Sequence, residues 1–266
     1  MATSFLDDEA RKSLFLSGVH ATSKNDDGSI FTVNIGNTIG AAKASGVSVQ
    51  QVLLPQLFPN INQYRAGVMT INGVDYTLPL GQYTSTQYFA VLDALTPFDI
   101  LFQTVSGPIF SEMTNNTGGD IILTMTEEIW AMWGYVVSDI AIEPDGRKSK
   151  TFTVGAHVGP NWADFGGDRL VHIVSERLAR SNMINGGDGV LYDTLCTVPL
   201  VKTPLFQFII YEPPYSDHSR INFDHTNPIN STLEFRLMDS RFRPLAYAKN
   251  HHIDLVLIVH HKEFSE

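Results

Sequence analysis

The sequence predicts a mainly β chain, an antiparallel β-sandwich that carries a small α/β elaboration. Short stretches alternate apolar and polar residues with the period of a half-buried strand, as in Phe31-Thr32-Val33-Asn34-Ile35. Clusters of turn-forming residues separate them, including Asn185-Gly186-Gly187-Asp188-Gly189 and Glu212-Pro213-Pro214. Helical spacing is confined to two places, both within about residues 66–137, and no repeat or linker divides the chain.

Residues 1–28 read as an N-terminal arm and lead-in, because the start is polar and groups Asp7, Asp8 and Glu9. The sandwich domain is expected over 29–266. After Phe31–Ile35, Gly46 opens a strand over Val47–Leu54, which Pro55 stops. Val68–Ile71 and Tyr76–Leu78 flank Asn72-Gly73, a strong hairpin signal. A helix follows, with Tyr88, Val91, Leu92 and Leu95 on one face, Ser85 or Thr86 as its cap and Pro97 beyond its end. Leu101–Val105 and Ile121–Met125 read as strands around a loop at Asn115–Gly119. A short helix over Glu127–Trp133 comes next, with Gly134 as its stop.

The remaining chain reads as strands at Thr151–Val154, Leu170–Val174, Phe206–Tyr211, Thr232–Met238 and Ile253–His260. Two rows face inward: Leu233, Phe235 and Leu237 on one strand, and Ile253, Leu255, Leu257 and Val259 on the other.

Composition narrows the function. With 266 residues, 43% hydrophobic and only 17% charged, the chain buries a large core and reads as a protein that covers its surface with partners. Its 28 acidic and 18 basic residues give a net charge of −10, which disfavours direct nucleic-acid binding. The basic run Arg147-Lys148-Ser149-Lys150 reads as a solvated loop. A single cysteine, Cys196, rules out an intrachain disulfide and fits folding in a reducing compartment. The N-terminus has no signal-peptide pattern, and no apolar run approaches the ~20 residues of a membrane span.

Catalytic chemistry is sparse. There is no phosphate-binding loop and no Gly-x-Ser-x-Gly elbow. Cys196 sits among apolar residues and reads as a small buried hydrophobe. His252-Ile253-Asp254 matches half of a His-x-Asp metal motif. On one extended strand, however, His252 and His260 would lie roughly 26 Å apart, too far to share an ion. Asp217-His218 and Asp224-His225 read as exposed loop polarity. Trp130, Trp133 and Tyr135 read as core aromatics rather than a stacking platform.

Three stretches carry a family resemblance. The first runs from Phe31–Ile35 through Val47–Pro55 to Phe58-Pro59-Asn60-Ile61-Asn62. The second is Tyr76–Leu80 with Gly81-Gln82-Tyr83-Thr84, followed by Gly119–Thr124 and Trp133-Gly134-Tyr135. The third joins Leu233–Asp239 to Ile253–Val259. Together they resemble the penton (vertex) and minor capsid proteins of double-jelly-roll-lineage DNA viruses, among them polinton-like viruses, virophages and some large DNA viruses. The turn after Asp239 departs from the pattern, since Ser240-Arg241-Phe242-Arg243 stands where a glycine is expected.

The resemblance implies a jelly-roll sandwich and a structural capsid protein without catalytic activity or cofactor. It implies homopentamers at the five-fold vertices of an icosahedral virion assembled inside the host cell. The implied partners are further copies, the major capsid protein, and minor capsid proteins or a vertex fibre. Two apolar but irregular loops are candidate ring contacts, Leu57-Phe58-Pro59 and Pro213-Pro214-Tyr215. A minor capsid, cement or fibre-base role stays open. So do a cupin- or dioxygenase-like metalloenzyme and a carbohydrate-binding sandwich using Tyr64, Trp162 or Tyr215.

Overall fold

The computed structural model describes residues 10–26, 28–35, 44–55, 60–62, 67–97, 99–105, 110–136, 138, 140–165, 169–176, 178, 183–185, 190–200, 207–213, 221–222, 232–245 and 253–261. The chain divides into two compact units, Met1–Leu57 with Asp168–Glu266, and Phe58–Gly167. The first unit opens with β1 (Ala10–Ser17), β2 (Ala21–Lys24), β3 (Ile30–Asn34) and β4 (Ala44–Pro55). The second holds β5 (Val68–Ile71), β6 (Val74–Thr77), α1 (Ser85–Leu95), β7 (Ile100–Val105) and β8 (Phe110–Asn115). It continues with β9 (Ile121–Met125), α2 (Glu127–Met132), β10 (Ala141–Ile142), β11 (Lys148–Phe152) and β12 (Gly155–Val158). The first unit then resumes with β13 (Leu170–Val174), β14 (Met183–Asn185), β15 (Leu191–Pro199) and β16 (Phe208–Tyr211). It closes with β17 (Ile221–Asn222), β18 (Thr232–Met238) and β19 (Asp254–His261).

The first unit is a jelly roll. Its sheets run β1-β19-β4-β16, with β17 also on β4, and β14-β15-β13-β18-β3-β2. The principal strands, in chain order, are β1, β3, β4, β13, β15, β16, β18 and β19. Every step between consecutive members crosses to the other sheet except β13 to β15, and the first and last members pair side by side. That interleaving is the jelly-roll connectivity.

The core follows from side-chain parity. On β18, Leu233, Phe235 and Leu237 are buried, as are Ile253 just before β19 and Leu255, Leu257 and Val259 on it, so both expected inward rows are present. Phe31 stacks on Phe235 across the β3–β18 pair, with centroids 5.2 Å apart. On β4, Val47, Val49, Val52 and Leu54 are all buried although their spacing changes parity. The register explains it: Leu257 pairs with Val49 and Val256 with Gln51, so Gln50 bulges out and resets the alternation.

The N-terminal boundary differs from the expectation. β1 lies inside the stretch read as arm and lead-in, yet it pairs with β19 at eight consecutive positions, from Ala10 with His261 to Ser17 with Asp254. Leu16 supplies part of the core there. The polar start masks a strand whose apolar face is short.

The second unit spans 58–167, longer at both ends than the 66–137 expected for the elaboration. Two sheets, β10-β11-β9-β5-β6 and β12-β8-β7, and two helices share an aromatic core. Trp133 packs edge-on against Phe89 and Phe102 and donates its indole N–H to the Tyr88 hydroxyl at 3.3 Å. Trp130 donates to Lys148 O at 2.8 Å. The aromatic trio that reads as core from sequence is core. Burial raises the phenol pKa of Tyr88 and pushes that of Tyr135 up to about 12.

Local signals hold with small corrections. The Asn72-Gly73 turn has both residues at positive φ, 48° and 82°, as a tight hairpin demands. The α1 cap is Thr84 rather than Ser85 or Thr86, and it forms a capping box with Gln87. β8 was not expected, since its alternating Ser111, Met113 and Asn115 face inward with only one large apolar side chain among them. The basic run is not a solvated loop: Lys148 to Lys150 belong to β11, and Arg147 binds Asp145 at 2.6 Å and the Thr70 hydroxyl at 2.6 Å. The hydrogen bond that Arg147 Nε donates to Asp145 Oδ2 holds the Asp145 carboxyl below its usual range.

Candidate interaction surfaces

Four groups that suggest chemistry are occupied structurally. Burial pushes the Cys196 thiol up to about 12, the opposite of what a nucleophile needs. His260 is buried and shares a 3.0 Å hydrogen bond between its Nε2 and Ser48 Oγ. It is therefore not dispensable, although alternation along β19 puts it on the face opposite Leu255, Leu257 and Val259. His172 shares a 2.8 Å hydrogen bond between Nδ1 and Thr197 Oγ1, and desolvation lowers its pKa against an opposing pull from Asp239. Asp239 accepts from the backbone N–H groups of Arg241 and Arg243 and from Arg243 Nε, at 2.8, 2.9 and 2.8 Å.

Those last two sites meet at the turn that lacks its expected glycine. Phe242 takes the left-handed conformation itself, with φ 57°. Its ring stacks on His172 at 4.1 Å and on Tyr192 at 4.7 Å, covering one end of the outer face of the β13–β18 sheet. Beyond it, Thr32, Thr232, Glu234 and Arg236 make a polar stretch of that face. A pocket of about 200 Å³ is lined by Thr32, Val174, Glu176, Thr232, Glu234 and Arg236. Arg236 pairs there with Glu234 at 2.8 Å and Glu176 at 3.2 Å.

The outer face of the β1-β19-β4-β16 sheet is of a different kind. Phe15 on β1 is 63% exposed, and Phe208 and Ile210 on β16 are each 64% exposed. Leu53, Val256 and Ile258 are half-buried between them. The register places Ser17, Asp254, Leu53 and Ile210 in one row and Phe15, Val256 and Gln51 in the next. Glu212 follows β16 and accepts from Gln51 Nε2 at 2.9 Å. Sequence reasoning missed this face. The signal was present in Phe208-Ile209-Ile210, which is apolar at both parities where an outward position of a one-sided sheet is usually polar.

Of the loops named as ring contacts, only Pro213 lies among the described residues, and it is half-buried. Leu57, Phe58, Pro59, Pro214 and Tyr215 lie outside them, as do Tyr64, His252, His218 and His225. Trp162 is 71% exposed on the second unit. Among the described residues no group of three His, Cys, Asp or Glu could hold a metal ion, and no helix is long and apolar enough to cross a membrane.

The class these features define is a single jelly roll with a large insertion between its third and fourth principal strands. A particular solved structure has this fold over nearly the whole chain. The penton protein of mavirus is similar with a TM-score of 0.50 and 12% identity, over 95% of this chain and 99% of that one. A chain of the Sputnik virophage cryo-EM structure gives a TM-score of 0.47 and 12% identity, over 97% of this chain and 99% of that one. No family model and no curated protein sequence matches.

Proposed function

We propose that this chain is a structural capsid protein of an icosahedral DNA virus, the penton protein that forms homopentamers at the five-fold vertices. The observation that carries the reading is the jelly-roll strand order with its inserted second unit, similar across 95% of the chain to a penton protein. In this reading the chain acts in the virion by packing against neighbours, and assembly takes place inside the host cell. Its partners are its own copies and the major capsid protein. The state of Cys196, His172 and His260 supports a role without catalysis, because each is committed to packing or hydrogen bonding.

A particle reconstruction tests this directly. Density for this chain is expected around the five-fold axes in rings of five. Placement between capsomers on the faces would exclude the penton role and favour a minor capsid or cement protein. Absence from the particle would remove the capsid reading altogether.

A further inference from the structure

We infer that the closing turn at Asp239–Arg243 is an acid-sensitive latch: a proton on His172 lets the turn lift locally from the β13–β18 sheet and uncovers the rings of Phe242 and Tyr192. The device belongs to this chain's own fold and does not depend on the capsid reading.

The turn is held differently from the strands beside it. Ser240, Arg241 and Pro244 are exposed, whereas Phe242 is buried against Val174 and Met238, with Ile184 and Tyr192 at its margin. The backbone of Phe242 lies in the left-handed region at φ 57°, where a large side chain persists only if surrounding contacts compensate. Its face-to-face stack on His172 is one such contact, and the stack on Tyr192 is the other. The strained residue is therefore held down in part by a side chain that titrates near neutral pH.

The surroundings of His172 suit the neutral ring. The ring is buried, with Nδ1 2.8 Å from Thr197 Oγ1 and one face under Phe242. From β15 it meets the Thr197 hydroxyl, and the Tyr192 phenol lies beyond Phe242. On β18 it pairs with Met238, and Arg236 stands two residues further along, in ion pairs with Glu234 and Glu176. The turn itself carries Asp239, Arg241 and Arg243. Asp239 is its one acid, and both carboxylate oxygens are engaged. Oδ1 accepts from the backbone N–H groups of Arg241 and Arg243, and Oδ2 accepts from Arg243 Nε. A proton on His172 thus adds a second cation beside an existing ion pair. Burial disfavours that charged form more strongly than the pull of Asp239 favours it. Lifting the turn admits water to the imidazole and removes the penalty, so acid shifts the balance toward the lifted state.

The test is amide hydrogen exchange on the full chain at about pH 7.5 and about pH 6, with rates corrected for the intrinsic effect of pH. The amides of Phe242, Arg243 and Leu245 report the turn, since they donate to Asp239 O, Asp239 Oδ1 and Leu237 O. The Leu237 amide donates to Ser29 O and reports the strand. One proton taken up at an ordinary histidine pKa of about 6.5 raises the lifted population by up to about fourfold over this range. Protection of the three turn amides should fall accordingly, with Leu237 unchanged. His172→Gln should abolish the pH response. Asp239→Asn, which removes the other titratable acid of the turn, should retain it. Turn protection that is the same at both pH values in the wild type overturns the inference. An equal loss at Leu237 also overturns it, because the opening is then global. A response that persists in His172→Gln, or disappears in Asp239→Asn, assigns the proton to Asp239 and overturns it as well, and either variant decides if the other fails to fold.

Discussion

Phe242 stacks face to face on His172, with ring centroids 4.1 Å apart and planes 10° from parallel. The pairing explains how a bulky residue holds a left-handed backbone at the closing turn, where φ 57° favours glycine. The ring contacts with His172 and Tyr192 offset a backbone penalty of about 1–2 kcal/mol. Asp239 braces the same turn through Arg241 and Arg243.

Two substitutions separate these effects. Phe242→Ala loses the stack and keeps the backbone penalty, whereas Phe242→Gly loses the stack and relieves it. Both should destabilise the fold, with the glycine variant more stable than the alanine by about 1 kcal/mol in denaturant unfolding. An alanine variant equal to or above the glycine variant would remove the strain from the account.

The stack also sets a pH dependence. Desolvation lowers the folded-state pKa of His172, so the folded chain binds its proton less readily than the unfolded chain does. Its contribution is therefore complete above the unfolded value of about 6.5 and declines as pH falls below it. The decline levels off once the folded-state pKa is passed. Unfolding titrations should show this slope in the wild type and a flatter one in His172→Gln.

The β19 ladder predicts contrasting effects along one strand. Leu255 is fully buried, and Leu255→Asp should abolish folding because the carboxylate has no partner there. His260→Ala should cost about 1–2 kcal/mol, since it leaves the buried Ser48 hydroxyl without the ring nitrogen it meets at 3.0 Å. A silent His260→Ala in thermal melts would contradict the hydrogen bond.

Removing β1 tests the other side of that ladder. Deletion of residues 1–17 takes away eight paired positions and leaves the edge of β19 open, so the product should aggregate or fail to fold. Deletion of residues 1–8 stops short of β1 and should leave the melting temperature unchanged. Equal behaviour of the two truncations would deny β1 a structural role.

Gly134 predicts a steric effect in the second unit. It has φ 81°, and a Cβ there would lie 2.2 Å from the Asn161 carbonyl oxygen. Gly146 has the same φ, with nothing within 4 Å of the added carbon. Gly146→Ala should therefore cost about 1 kcal/mol, and Gly134→Ala clearly more. Comparable losses for the two in chemical unfolding would mean that the segment at Asn161 can move aside freely.

The strands, the Asn72-Gly73 hairpin and the inward rows of β18 and β19 were legible because period-two alternation and turn residues act over a few positions. β1, β8 and β15 escaped notice because their apolar spacing is broken: Leu14 and Leu16 stand behind a charged start, and Met113 stands alone among polar neighbours. The bulge at Gln50 hid the parity change on β4 in the same way.

By itself, then, the sequence determined a mainly β sandwich with a helical insertion, its core rows, and the absence of a coherent catalytic motif. Its resemblance added the jelly roll and the capsid reading. Only the tertiary structure decided that β1 lies beside β19, that Phe242 replaces the missing glycine by stacking on His172, and that Phe208 and Ile210 face solvent. Each of these depends on partners far away in the chain. Alternation shows which residues share a face of a strand, but which strand pairs alongside, and whether anything covers the other face, is settled by long-range contacts that local pattern does not encode.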